Sequence, residues 1–217
     1  MNHSTKAQQV ARRILRTAAA TAFGLVSTGF LPEAAHAQTV TPPPVPAGLE
    51  VEAPNEAFLL GRGVGTQNYV CQPADSLGQV AWTLFTPVAT LFSDQQEQLT
   101  THFFSPNPEE GVIVRAAWQD SRDTSIVWAR VITSVPDPNG SGAIAWLKLQ
   151  AVGAQEGPTG GDTLSRTTFI QRVNTVGGSA PATGCEIPTD VGRKVFVPYT
   201  ADYFFYKVPT GTVHENN

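Results

Sequence analysis

The sequence is poor in basic charge: 14 Lys and Arg stand against 18 Asp and Glu in 217 residues, and no extended Lys/Arg run occurs. Without a positive stripe, a nucleic-acid or anionic-membrane partner is disfavoured. Long apolar runs are lacking too, and a helix that crosses a bilayer needs about 20 predominantly apolar residues. Histidine is scarce. His3 and His36 lie near the N-terminus and His214 in the polar tail, so His102 is the only internal one. That excludes a metal site built from several imidazoles, and no metal is expected. No Gly-x-Ser-x-Gly string is present, and Gly140-Ser141-Gly142 lacks the strand-turn-helix setting of a serine nucleophile.

The first 37 residues have the composition of an address rather than of folded structure. Lys6, Arg12, Arg13 and Arg16 form a basic start, residues 17–30 are small and apolar, and Ala35-His36-Ala37 is a small-x-small cleavage site. The run is too short for a membrane anchor and is diluted by Thr17, Thr21, Gly24, Ser27, Thr28 and Gly29. A signal peptide cleaved after Ala37 is expected, on the general or the twin-arginine route, with a periplasmic or extracellular product. Removal of Lys6, Arg12, Arg13, Arg16 and Glu33 leaves 10 basic and 17 acidic residues, a net charge of −7. The two cysteines, Cys71 and Cys185, both fall in the exported part, where an even count reads as a disulfide. A catalytic thiol has little support, because neither cysteine has a basic residue or His beside it.

Residues 38–55 are Pro-rich and read as an extended leader arm. Residues 56–209 have the size of one domain, followed by a polar tail at 210–217. Within the domain, β-branched and aromatic residues come in short runs broken by Gly, Pro, Asn and Asp. The runs predict strands at 67–71, 80–85, 99–104, 112–119, 125–135, 144–151, 164–174, 194–198 and 203–208, with one helical turn at 92–98 capped by Ser93 or Asp94. About nine strands without intervening helices give an all-β fold, an antiparallel sandwich or barrel. Along 203–208, Tyr203, Phe205 and Lys207 alternate with Phe204 and Tyr206, the pattern of a strand packed on one face.

Particular strings carry a family resemblance. QNYVC (67–71), the W-x-L-F-x-P-x-A-x-L pattern from Trp82, THFFSP (101–106), AIAWLKLQA (143–151), FIQRVNTVGGSAPATGC (169–185) and VPYTADYFFY (197–206) occur in this order. Together they resemble the exported bacterial and fungal family known as domain of unknown function 3455 (DUF3455). The resemblance implies export and the same two cysteines, and brings no established activity. The segment SPNPEEGVIVRAAWQDSRDTS departs from the family's usual G-P-x-W and D-G-S strings, so its aromatic lies later, at Trp118. Some relatives carry a dehydrogenase label, which these residues do not support. Gly61-Arg62-Gly63-Val64-Gly65 is not G-x-G-x-x-G and no α/β alternation follows, so no cofactor is expected and the glycines read as a bulge or tight turn.

Two chemical readings stay open for His102: a general base oriented by Asp120 or Asp202, or a half-buried, hydrogen-bonded histidine without chemistry. A mixed metal site of His102 with Asp120, Asp123 or Asp202 would need those side chains to converge. Asp120 with Asp123, or Glu109 with Glu110, read either as paired acids or as turn residues. Trp82, Trp128 and Trp146 read as core, whereas Trp118, followed by Gln119, Asp120, Ser121, Arg122 and Asp123, reads as lining the rim of a cleft. Arg172 and Asn174 are polar residues in a strand-like run and read as ligand contacts or as partners for backbone near Gly177-Gly178. The favoured expectation is a non-enzymatic exported β domain binding a small molecule, glycan or envelope component. The alternatives are a secreted hydrolase or lyase using His102 with an aspartate, and a structural envelope protein with the arm as spacer.

Overall fold

In the computed structural model, which describes residues 40–75 and 78–210, eight antiparallel strands follow one another in chain order and close on themselves. They are β1 (Glu56–Pro73), β2 (Val80–Phe92), β3 (Gln98–Asn107), β4 (Ile113–Asp120), β5 (Ile126–Val135), β6 (Trp146–Gln155), β7 (Phe169–Gly177) and β8 (Lys194–Lys207). The expected signal peptide and its cleavage site lie outside the described residues, as does the tail beyond residue 210. Of the two all-β alternatives, the barrel is the one formed. The strands number eight rather than nine, because 194–198 and 203–208 are one strand that runs through Pro198, paired with Thr66. The predicted helical turn at 92–98 is a tight β2–β3 turn instead. Ser93 Oγ accepts from the N–H groups of Gln95 and Glu97, and Gln96 takes a φ of 64°.

Closure divides each strand into an inner and an outer face. Ala89, Leu91, Trp118, Val127, Ala129, Leu149, Ile170, Tyr203 and Phe205 belong to the inner core, joined by Leu164 from the β6–β7 connection. On β1 the inward positions include Gly61, Gly63 and Gly65. A Cβ there would come within 2.7 Å of Leu91 Cδ2, 2.8 Å of Tyr203 Cε2 and 2.1 Å of Val88 O. The Gly-x-Gly-x-Gly string therefore marks a strand whose neighbours lean over it, not a bulge or turn; the register shift in the β1–β2 pairing falls later, at Asn68/Tyr69.

The outer wall of β6, β7 and β8 is also covered. Trp146, Val173, Phe204 and Tyr206 form a second cluster with Leu49, against which Val40, Val45 and Val51 of the arm also pack. Two polar ties fasten the arm: Lys148 Nζ donates to Glu50 O and Gln171 Nε2 donates to Leu49 O; the Tyr206 hydroxyl in turn donates to Gln171 Oε1 within the barrel wall. Residues 40–51 of the arm are thus a strap laid on the barrel. For the same reason β8 is packed on both faces, not one, with Tyr203 and Phe205 inside and Phe204 and Tyr206 beneath the strap.

Candidate functional site

Eight strands enclose an interior just wide enough to be filled by side chains or to hold one small ligand. Here both occur, at opposite ends. Leu91, Val127, Leu164, Ile170 and Phe205 are fully buried and fill one half. The other half contains a cavity of about 400 Å³. Its walls are mainly apolar, from Leu84, Pro87, Phe104, Ala116, Leu147 and Leu149, and its polar groups include those of Gln67, His102, Trp118, Arg172 and Tyr203.

The strand pattern explains where the cavity lies. Registered pairing between β2 and β3 begins at Ala89/His102 and runs to Phe92/Gln98, and between β4 and β5 it is confined to residues 116–119 with 126–129. Towards the β3–β4 and β5–β6 connections these strands continue without registered pairs, so the barrel flares. Val131 lies on this seam: it lines the cavity and is 50 % exposed. The segment after β7 covers part of the mouth, contributing Ser179 and Ala180. That segment is held by the Cys71–Cys185 disulfide, with Cα atoms 5.5 Å apart, and by the Tyr69 hydroxyl donating to Gly178 O. Gly178 has a φ of 84°, and a Cβ there would lie 2.9 Å from Tyr199 Cβ, so glycine is required where the chain turns over the opening.

His102 and Trp118 are directly opposed on β3 and β4 and stack in parallel, ring centroids 4.2 Å apart and 9° between planes. Tyr203 meets both rings at an angle. His102 Nδ1 lies 2.9 Å from Ala117 O, and since a carbonyl only accepts, Nδ1 carries the proton and Nε2 is an acceptor. Burial lowers the His102 pKa to about 3, with the nearby Arg172 charge adding to the effect. Neutral imidazole is therefore the resident form at physiological pH. The unfolded chain protonates this side chain near pH 6.5 and the folded one only near 3, so the unfolded state binds more protons in that window. Stability should fall as pH drops through it, by up to about 1.4 kcal/mol per pH unit. Denaturant unfolding at pH 7 and 4.5 checks this: the His102→Gln variant should lose roughly 2–3 kcal/mol less than the parent between the two.

Arg172 follows Ile170 on the inner face of β7. Its Nε and Nη2 donate to Ala145 O at 3.2 and 2.8 Å, and among the described residues no carboxylate pairs with it. Its charge pulls down the pKa values of Tyr69, Tyr199 and Tyr203 against the larger upward effect of their burial. Two buried donors in the cavity wall, Trp118 Nε1 and Gln67 Nε2, have no hydrogen-bond partner; the Gln67 amide approaches the Tyr199 hydroxyl without reaching bonding geometry. Trp118 is 1 % exposed, so it lines the cavity floor and not a solvent-facing rim.

The two aspartates considered as partners of His102 lie elsewhere. Asp120 Oδ1 accepts from the N–H groups of Arg122 and Asp123 and shapes the β4–β5 turn. Asp202 accepts from Arg62 and Asn174 on the outer wall, so Asn174 is placed outside the cavity as well. The β7–β8 register shift between Val173 and Val176, where Asn174 takes a φ of 51°, separates it from Arg172. Asp123 caps Ser125 and Thr163, and Glu109 and Glu110 serve Ala154 and Arg115. No group of three or more His, Cys, Asp or Glu converges among the described residues. Sequence reasoning missed Gln67 and Tyr203; inward alternation with Tyr69 and Phe205 was the available signal.

Comparison with curated proteins and with solved structures returns no match. The family described as Protein of unknown function (DUF3455) matches residues 53–207, which spans all eight strands and both cysteines. With well over half of its length matched, the chain belongs to this family.

Proposed function

We propose that the barrel is a non-enzymatic binding domain that holds one small, mainly apolar molecule in the flared half of its interior, and that it works after export and removal of residues 1–37. The cavity carries this reading: about 400 Å³ falls within the usual range for ligand sites, roughly 300–1,000 Å³, and its walls are apolar with a few convergent polar groups. The disulfide fits an oxidising compartment. Acid–base chemistry finds less support, because among the described residues no carboxylate orients His102, whose Nδ1–H donates to the backbone carbonyl of Ala117. A glycan would find few polar groups to replace its water.

Titration with the neutral fluorophore N-phenyl-1-naphthylamine tests the reading. One molecule should bind per chain and be displaced by neutral apolar compounds. Ala116→Trp, which projects an indole into the cavity, should weaken binding at least tenfold while retaining the β spectrum. Absent binding, or equal binding by the Ala116→Trp variant, would reject the site.

A further inference from the structure

Arg172 narrows the class of ligand. Among the described residues it is the one Lys or Arg in the cavity wall, and no carboxylate neutralises it. Arg172 is half-buried, so its charge is partly withdrawn from water and gains from an ionic partner, and a guanidinium is the side chain best shaped to receive a carboxylate. Here the Nε and Nη2 atoms share a backbone carbonyl, that of Ala145, and the guanidinium also lies beside the neutral Tyr203 hydroxyl, which leaves the charge itself without a counter-ion. Beside the acceptor His102 Nε2, the nearby wall carries two donors without partners. Trp118 Nε1 is buried and unpartnered, and an indole N–H can only donate. Gln67 Nε2 is in the same condition.

We propose, building on the binding reading above, that the cavity takes a monocarboxylic acid with an apolar body, its carboxylate at Arg172 and its body against Leu84, Phe104 and Leu147. A single negative charge is specified because the wall offers a single cation, and His102, neutral with Nε2 as acceptor, adds no second one. The space corresponds to about a dozen waters, which limits the body to a compact ring system or a short chain.

The test uses the full mature chain with the neutral fluorophore bound and compares displacement by 1-naphthoate and by 1-naphthamide, which share shape and differ in charge. The acid should displace at least tenfold more effectively, and this preference should shrink with added salt. In Arg172→Met the ratio of displacement by acid to displacement by amide should fall to about one, whatever the change in fluorophore affinity; Arg172→Lys should keep part of the preference. Equal displacement by acid and amide in the parent overturns the acid class while leaving the binding reading intact, and so does an undiminished preference in Arg172→Met. Absence of fluorophore binding removes both. The salt dependence is read on the parent, so the test stands even where a substitution fails to fold.

Discussion

Replacing Cys71 and Cys185 with serine is expected to lower the melting temperature by roughly 5–20 °C, taking about 2–5 kcal/mol for a lost native disulfide and about 2–4 °C per kcal/mol at this size. The bridge joins positions 114 residues apart, the end of β1 and the loop between β7 and β8, so it closes a loop that contains β2 to β7. A loop of about 100 residues corresponds to about 4.7 kcal/mol in the chain-entropy description. The native fold should nonetheless survive, because Cys71 N and O remain bonded to Arg193 O and Gly192 N, and Trp82 Nε1 donates to Thr183 O. The more specific effect falls on the mouth. Ser179 and Ala180 border the cavity on the segment that the bridge restrains, so fluorophore release should accelerate more than association. Calorimetry with and without reductant, followed by stopped-flow release, measures both. An unchanged melting temperature would show that the bridge contributes little to stability.

The second large effect concerns the strap. Leu49 is fully buried against Trp146, Val173, Phe204 and Tyr206, and Leu49→Ala should cost about 2–5 kcal/mol, the range for core leucines. A free spacer would tolerate that substitution without a measurable change, so thermal unfolding of this single variant separates the two roles. Removing residues 38–51 should be worse than additive. It would also orphan Lys148 and Gln171, whose polar ends are satisfied by Glu50 O and Leu49 O, and expose the aromatic wall to aggregation.

Much of this fold was legible because alternation survives on most strands. Tyr203 and Phe205 share one face of β8 as their alternation with Phe204 and Tyr206 implies, and the cysteines join as their number implies. Legibility fails where a barrel breaks local rules. Residues 56–66 were missed as strand because glycines occupy inward positions, where neighbouring strands leave no room for a Cβ. β8 was split because proline usually ends a strand, yet Pro198 occupies a paired position whose carbonyl accepts from Gly178 N. The site was partly visible in His102, Trp118 and Arg172, but Trp118 was placed at a rim because the charged residues after it were read as its surroundings. They form the β4–β5 turn at the opposite end of the strand from the mouth. Asn174 was grouped with Arg172 by proximity in sequence, which a register shift cancels.

The barrel is sealed by β1 against β8, with Glu56 opposite Lys207. Every other neighbouring pair joins strands consecutive in sequence, so seven hairpins can zip as the chain emerges, while the last seam must wait for the C-terminal strand. Until then the sheet has two bare edges, and the most distant contacts in the molecule are the ones that abolish them. A growing chain would thus remain an open ribbon for most of its length and become a vessel only when Lys194–Lys207 arrives.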